Sequence, residues 1–103
     1  MQTHSAKRVE IIIEAPMQRR LEDALERAGV SGYTVLPVMG GNGRSGRWSR
    51  DGQVSSAGGL IAVICIVAED RKDQLLDAAF GVLERHIGVV SITDCEVVRA
   101  ERF

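Results

Sequence analysis

The sequence predicts one α+β domain in which strands and helices follow the order β-α-β-β-α-β. Three observations support this prediction: short runs rich in β-branched residues, two segments with apolar residues at helical spacing, and a glycine-dense polar segment in the middle of the chain. A chain of 103 residues is long enough for one domain with a modest core. We therefore expect residues 1–103 to form a single domain.

The first half of the chain indicates a strand, a helix and a second strand. Residues 9–13 are apolar and β-branched, which is typical of a buried strand. Apolar residues recur at helical spacing over residues 17–28, and Gly29 is placed to end that helix. Residues 33–38 predict the second strand. Its Pro37 cannot donate to a ladder, so this strand is expected at a sheet edge.

The second half indicates a strand, a helix and a last strand. Residues 60–68 are almost uniformly apolar, as in a strand buried on both faces. The apolar stripe expected for the helix consists of Leu76, Ala79, Phe80, Leu83 and Ile87. Residues 89–98 predict the last strand, and a change in its apolar phase indicates a bulge near Asp94.

With right-handed crossovers, this order gives a ferredoxin-like fold, a four-stranded antiparallel sheet with two helices on one face. A long loop at residues 40–59 then joins the second and third strands. The sheet face without helices must be covered by another subunit or by a ligand. Cys65 and Cys95 fall on strands that are not neighbours, which argues against a disulfide between them.

Composition and motifs exclude several functions. The net charge of −1 and the scarcity of aromatic residues give no basis for nucleic-acid binding. No Walker motif, Ser/His/Asp set or Cys/His set is present, so we expect no catalytic residues and no enzyme activity. No apolar run reaches the roughly 20 residues of a membrane span. The N-terminal residues also lack a signal-peptide pattern, so we expect a cytoplasmic protein.

The loop at residues 40–59 is the candidate ligand segment. It holds most of the 11 glycines of the chain, together with Arg44, Arg47, Arg50 and Trp48. Glycine allows backbone N–H groups to approach an anion, and arginine donates in a fork that suits phosphate or carboxylate. The alternative is a hairpin excursion without a ligand.

Residues 28–46, with the sequence AGVSGYTVLPVMGGNGRSG, resemble the approach to the first loop of PII signal-transduction proteins. The family pattern there is G-[IV]-x-G-x-T-V-x-x-V-x-G-x-G-R. The matching residues are Gly29, Val30, Gly32, Thr34, Val35, Val38, Gly40, Gly43 and Arg44, with one extra residue between the last two glycines. Residues 66–70 are similar to the segment that leads into the second helix of the family.

The resemblance implies a homotrimer with adenine nucleotides in clefts between subunits. It also implies that residues 40–59 form the family's T-loop, which changes shape with ligand and contacts a protein partner. The nucleotide-binding residues it implies are Thr34, Gly40, Gly41, Gly43, Arg44, Ile66, Gly88, Arg99 and Arg102. The second ligand loop of the family is shortened here to residues 85–88, so we expect AMP or ADP to bind and ATP to bind poorly.

The loop sequence is most similar to the carboxysome-associated, bicarbonate-linked group of PII-like proteins. This similarity implies bicarbonate as a second ligand and an inorganic-carbon transporter or carboxysome-related protein as the partner. The candidate anion-binding residues are Ser45, Gly46 and Arg47, because an arginine fork and backbone amides suit a small oxyanion. The sequence therefore predicts a non-enzymatic sensor without a catalytic cofactor.

Two alternatives remain open from the sequence. A trimeric metal-tolerance protein of the similar copper-tolerance fold would use Cys65, Cys95 or His86. No His/Cys cluster with metal-ligand spacing exists, however, so we expect no metal site. A small hydrolase on this fold would need a nucleophile and a base that the sequence does not place together.

Overall fold

The computed structural model describes residues 1–30, 32–43, 46–49, 59–99, 101 and 103, and for residues 43 and 46–49 it describes only the backbone. The elements follow the predicted order, with an added hairpin between the second and third predicted strands. They are β1 (His4–Glu14), α1 (Gln18–Arg27), β2 (Thr34–Val38), β3 (Gly40–Gly43), β4 (Gly46–Ser49), β5 (Leu60–Val67), α2 (Lys72–Leu83) and β6 (Gly88–Val97). A 3-10 turn precedes each helix.

Four of the strands form one antiparallel sheet in the order β2-β5-β1-β6. This order confirms the predicted ferredoxin-like fold. Pro37 lies on the edge strand β2, as predicted. β1 separates the two cysteines, since Cys65 on β5 pairs with Val9 and Cys95 on β6 pairs with Ala6. Both thiols are free.

The core lies between one face of the sheet and the two helices. Successive side chains of a strand point to opposite faces, so β1 contributes Val9, Ile11 and Ile13 to this core. The buried apolar cluster consists of Val9, Ile11, Ile13, Met17, Leu21, Leu25, Val30, Ile61, Val63, Cys65, Val67, Leu75, Ala79 and Leu83. Each fully buried Leu, Ile or Val stabilises the fold by about 1.5–3 kcal/mol. Leu21 and Leu25, which belong to the predicted apolar face of α1, lie in this core.

The predicted apolar stripe of the second helix is partly wrong. α2 buries Leu75, Ala79 and Leu83, whereas Phe80 is 63% exposed and Ile87, beyond the end of the helix, is 78% exposed. Apolar residues occupy neighbouring positions along α2, so the sequence offers two stripes about 100° apart. Packing against the sheet selects the stripe that begins at Leu75.

The start of β1 and the pairing of β6 also differ from the prediction. β1 begins at His4, because its polar first residues pair with β6. The predicted bulge near Asp94 is absent, since the β1–β6 register runs without interruption from His4↔Val97 to Ile13↔Gly88. The change in apolar phase along β6 instead reflects Asp94 itself, which is exposed and contacts Lys7 on β1.

Part of the predicted loop forms a separate two-stranded ribbon. β3 and β4 pair from Gly40↔Ser49 to Gly43↔Gly46. A two-stranded hairpin is at best marginally stable alone in water. Four of its eight positions are glycine, namely Gly40, Gly41, Gly43 and Gly46, and glycine loses more backbone entropy on ordering than other residues. The ribbon is therefore a weakly stabilised part of the fold.

The sheet face opposite the helices carries apolar side chains. Leu36 of β2 is 44% exposed there, and Ile12, Ile64 and Ile66 are half-buried. Arg8 and Glu10 lie on the same face and form an ion pair, with 3.1 Å between Nη1 and Oε2. A mixed surface of this kind suits contact with a second protein surface. Within the described residues, no helix is long and apolar enough to cross a membrane.

Candidate functional site

A cavity of about 600 Å³ lies where α1 ends, β2 begins, β5 ends and α2 begins. Its lining residues are Ala28, Gly29, Val30, Gly32, Tyr33, Thr34, Ile64, Ile66, Val67, Arg71, Glu101 and Phe103. Small-molecule sites typically measure about 300–1,000 Å³. Thr34 and Ile66, two of the predicted nucleotide-binding residues, lie in this cavity. We call it the β2 cavity.

The end of α1 shapes one wall of the β2 cavity. Val30 N–H donates to Leu25 C=O (2.9 Å) and Gly29 N–H donates to Glu26 C=O (3.1 Å), which is the pattern of a Schellman motif. Gly29 adopts φ +86°, a left-handed conformation that favours glycine. A Cβ at Gly29 would also lie 3.0 Å from Arg71 Nη1. The left-handed turn therefore favours glycine, and a Cβ there would also displace the Arg71 guanidinium slightly.

The strands contribute an apolar surface, and Tyr33, which directly precedes β2, contributes an aromatic ring. Ile64 and Ile66 come from β5, and Thr34 pairs directly with Ile64 across the ladder. The Tyr33 hydroxyl donates to Glu26 Oε2 at 3.1 Å, which fixes the ring beside the cavity. Desolvation and this hydrogen bond raise the pKa of the Tyr33 phenol. The phenol therefore stays protonated and acts as a donor at neutral pH.

Among the lining residues of the β2 cavity that the sequence did not assign to the site are Arg71, Glu101 and Phe103. Arg71 Nη1 donates to Gln74 Oε1 at 3.2 Å, so its guanidinium lies between that amide and Gly29. No local pattern marks these residues. Arg71 resembles any polar residue in the first turn of a helix, and Glu101 lines the cavity although it follows β6, far from Arg71 in the sequence.

The other predicted site residues lie toward the opposite end of the sheet. Gly40, Gly41 and Gly43 belong to β3 and Gly46 to β4, directly after the end of β2, where Val38 pairs with Leu60. Gly88 begins β6 and pairs with Ile13, so it lies at the same end.

Gly88 has a packing role that the resemblance did not predict. A Cβ there would lie 2.2 Å from Leu83 Cδ2 and 3.1 Å from the Ile12 carbonyl oxygen. The chain must turn from α2 into β6 within a few residues, and only glycine leaves room for the Leu83 side chain. Its assignment to nucleotide binding stays a prediction.

Several predicted site residues fall outside what the structure describes. Arg44, Ser45 and Arg102 lie outside the described residues, as does the side chain of Arg47. Arg99 follows β6 and is exposed, but it does not line the β2 cavity. The roles of these residues in nucleotide or anion binding stay predictions.

The predicted nucleotide-binding residues therefore form two separate groups on one chain. Thr34 and Ile66 lie in the β2 cavity, whereas Gly40, Gly41, Gly43 and Gly88 lie toward the other end of the sheet. Gly40 is six positions after Thr34 along extended chain, which corresponds to at most about 20 Å. On one chain, the two groups therefore lie at opposite ends of β2.

The metal alternative gains no support from the described residues. They contain no group of three His, Cys, Asp or Glu side chains that could hold a metal ion. Cys65 is buried, and desolvation raises its pKa to about 11, which disfavours the thiolate that a metal would need. His86 Nδ1 lies 3.7 Å from Glu14 Oε1, and the same oxygen accepts from Ile87 N–H at 3.3 Å. The His86 imidazole therefore lies beside the Glu14 carboxylate and not beside a second histidine or a cysteine of the described residues.

Comparison with known families agrees with the fold. Residues 6–102 match the family described as nitrogen regulatory protein P-II. The match spans most of the chain, and the chain belongs to the PII family. No curated protein sequence matches it significantly.

Solved structures of PII-like proteins superpose on the whole chain. CPII from Thiomonas intermedia, bound to ADP, AMP and bicarbonate, is 32% identical, with a TM-score of 0.88 over 99% of this chain and 96% of that one. CPII bound to ADP, AMP and acetate is 32% identical, with a TM-score of 0.81 over 100% of this chain and 98% of that one. A PII-like signalling protein from Thermus thermophilus is 25% identical, with a TM-score of 0.81 over 100% of this chain and 99% of that one.

Proposed function

We propose that this protein is a non-enzymatic sensor that binds ADP or AMP together with bicarbonate and switches its T-loop in response. The observation that carries the proposal is the β2 cavity, whose volume and apolar, aromatic lining suit a nucleoside. The similarity to CPII, which binds ADP, AMP and bicarbonate, supports the same ligands here. The description of the family as regulatory supports a role without catalysis.

The nucleotide binds between two copies of the chain in this proposal. Thr34 and Ile66 of one copy face the nucleoside, and the glycines of the β3–β4 ribbon and Gly88 of a neighbour face the phosphates. Backbone N–H groups of closely spaced glycines suit an anion. The arginines predicted to join them are Arg44, Arg99 and Arg102. A homotrimer also covers the apolar sheet face that carries Leu36 and Ile64.

Bicarbonate binds at Arg47 and the backbone of Gly46 and Ser45 in this proposal, because a guanidinium fork matches a planar oxyanion. The observation of both acetate and bicarbonate complexes of CPII supports a site for small carboxylate-like anions in this family. The β3–β4 ribbon is only marginally stable by itself. A ligand that contacts its paired form more favourably than its open form therefore shifts its population.

In this proposal, the protein partner binds the T-loop, residues 40–59, when nucleotide and anion are bound. We place the protein in the cytoplasm, with an inorganic-carbon transporter of the membrane or a carboxysome-related protein as the partner class. The similarity of the loop sequence to the carboxysome-associated group supports this choice. The protein itself carries no catalytic residue in this proposal and needs no catalytic cofactor.

Calorimetric titration tests the ligands directly. The purified protein is titrated with AMP, ADP and ATP, each with and without bicarbonate, at matched ionic strength and pH. We expect ADP or AMP to bind more tightly in bicarbonate and ATP to bind weakly. Absence of binding by all three nucleotides in both buffers contradicts the proposal.

An arginine substitution isolates the anion site. Arg47→Ala should abolish the bicarbonate-dependent gain in ADP affinity and leave binding in bicarbonate-free buffer within about threefold of wild type. Arg19→Ala is a matched control, because Arg19 is exposed on α1, away from both groups of site residues. An Arg47→Ala protein with a full bicarbonate response would rule out the guanidinium as the anion contact.

A further inference from the structure

The β2 cavity holds one cation and one anion that do not neutralise each other. Arg71 and Glu101 both line it, and no salt bridge joins them. Among the residues that the structure describes, neither takes part in any ion pair within 4.0 Å; the ion-paired residues are Lys7, Glu69, Asp94, Arg8, Glu10, His86 and Glu14. Both charged groups therefore line the cavity without an ion-pair partner among the described residues.

Arg71 is exposed, and its guanidinium lies beside Gln74 and Gly29. Nη1 donates to Gln74 Oε1 at 3.2 Å, and the absent side chain of Gly29 leaves the space that the guanidinium occupies. A guanidinium is planar and carries five N–H donors, so several donors remain for a ligand.

Glu101 limits which part of a nucleotide can lie here. An ionised carboxylate only accepts hydrogen bonds, and it repels a phosphate. The ligand edge that faces this cavity must therefore carry an N–H donor next to an acceptor. The side chains of Tyr33, Phe103 and Ile66 also line the cavity and suit the faces of an aromatic ring.

We infer that Glu101 and Arg71 select adenine by its Hoogsteen edge, which rests on the proposed nucleotide function. Adenine presents the exocyclic N6 amine as a donor beside N7 as an acceptor. Glu101 accepts from N6 and Arg71 donates to N7. Hypoxanthine and guanine present O6 and N7, two acceptors, at the same edge. Their O6 faces the carboxylate of Glu101 and is rejected.

Competition between ADP and IDP tests this assignment, because the two nucleotides differ at position 6 of the base. We expect wild-type protein to bind ADP about 10- to 100-fold more tightly than IDP, the loss expected when a charged group is left without its partner. Glu101→Ala should reduce this preference to less than about threefold. Glu84→Ala is a matched control, since Glu84 is exposed beyond α2 and should keep the wild-type preference.

Substitution of Arg71 is expected to change the affinity for ADP itself. Arg71→Ala should weaken ADP about 10-fold or more, and Arg71→Lys should not restore binding, because a point charge lacks the planar fork held by Gln74. Circular dichroism of each variant controls for folding.

The outcomes separate the two proposals. Wild-type protein that binds ADP and IDP equally, or Glu101→Ala protein that keeps the full preference, overturns the base assignment and leaves nucleotide sensing intact. Wild-type protein that binds no nucleotide contradicts the proposed function itself.

Discussion

Replacement of Gly29 by alanine perturbs the end of α1 and the β2 cavity together. The residue has φ +86°, and an L-residue in the left-handed region costs about 1–2 kcal/mol. The added Cβ would also lie 3.0 Å from Arg71 Nη1, so the guanidinium must move by a few tenths of an ångström. We expect Gly29→Ala to lower the free energy of unfolding by about 1–2 kcal/mol from the backbone, with a smaller part from the displaced Arg71.

Guanidinium denaturation at one protein concentration measures this loss, because oligomer stability depends on concentration. Gly32→Ala is the matched control, since a Cβ there meets nothing within 4 Å and its φ is not positive; it should stay within about 0.5 kcal/mol of wild type. Adding Arg71→Ala to Gly29→Ala should recover only the steric part.

Two results would refute this reasoning. Equal destabilisation by Gly29→Ala and Gly32→Ala would show that the left-handed conformation is not what the turn requires. Full recovery of stability in the Gly29→Ala, Arg71→Ala double variant would show that the cost comes from the contact with Arg71 and not from the backbone. Unchanged ADP affinity in Gly29→Ala would further show that the position of Arg71 has no effect on the ligand.

Three other substitutions have defined outcomes. Gly88→Ala should destabilise by about 1–3 kcal/mol, because its Cβ would lie 2.2 Å from Leu83 Cδ2; chemical denaturation measures the loss, and retained stability would show that Leu83 can move away. Gly81→Ala should stabilise α2 by up to about 1 kcal/mol, since a Cβ there meets nothing within 4 Å; a loss in the same assay would contradict this. The hydrogen bond from Lys7 lowers the pKa of Asp94. The stabilising effect of this pair is therefore present above the ordinary carboxyl pKa and is lost as the pH falls through the lowered value, so Asp94→Asn should differ from wild type at neutral pH and converge with it in acid.

The alternation of elements could be predicted because each carries its own local signal. The apolar run of β5, the helical spacing of α1 and the stop at Gly29 all depend on residues close in sequence. The polar start of β1 could not be predicted, because its strand structure comes from pairing with β6, about 90 residues away. The phase of α2 was ambiguous for a related reason, since only the sheet decides between Leu75 and Leu76.

The candidate site likewise contains some residues that the sequence predicts and others that it does not. Thr34 and Ile66 were predicted because they lie in segments that resemble PII proteins, and the structure brings both into one cavity. Arg71 and Glu101 belong to no motif, and they line the same cavity although one precedes α2 and the other follows β6. Residues that come together only through the tertiary fold leave no local pattern in the sequence.

The separation of the two groups of site residues has a thermodynamic consequence for the proposed sensor. If the β2 cavity of one copy and the β3–β4 ribbon of another form one site, nucleotide binding and subunit association are linked. ADP must then strengthen the oligomer by the same factor by which oligomer formation strengthens ADP binding. Dilution that dissociates the protein should weaken ADP binding, and ADP at 100 times its dissociation constant should stabilise the assembly by about 2.7 kcal/mol per site. ADP affinity that stays constant while the oligomer dissociates would place the whole site on one chain, against the geometry of the sheet.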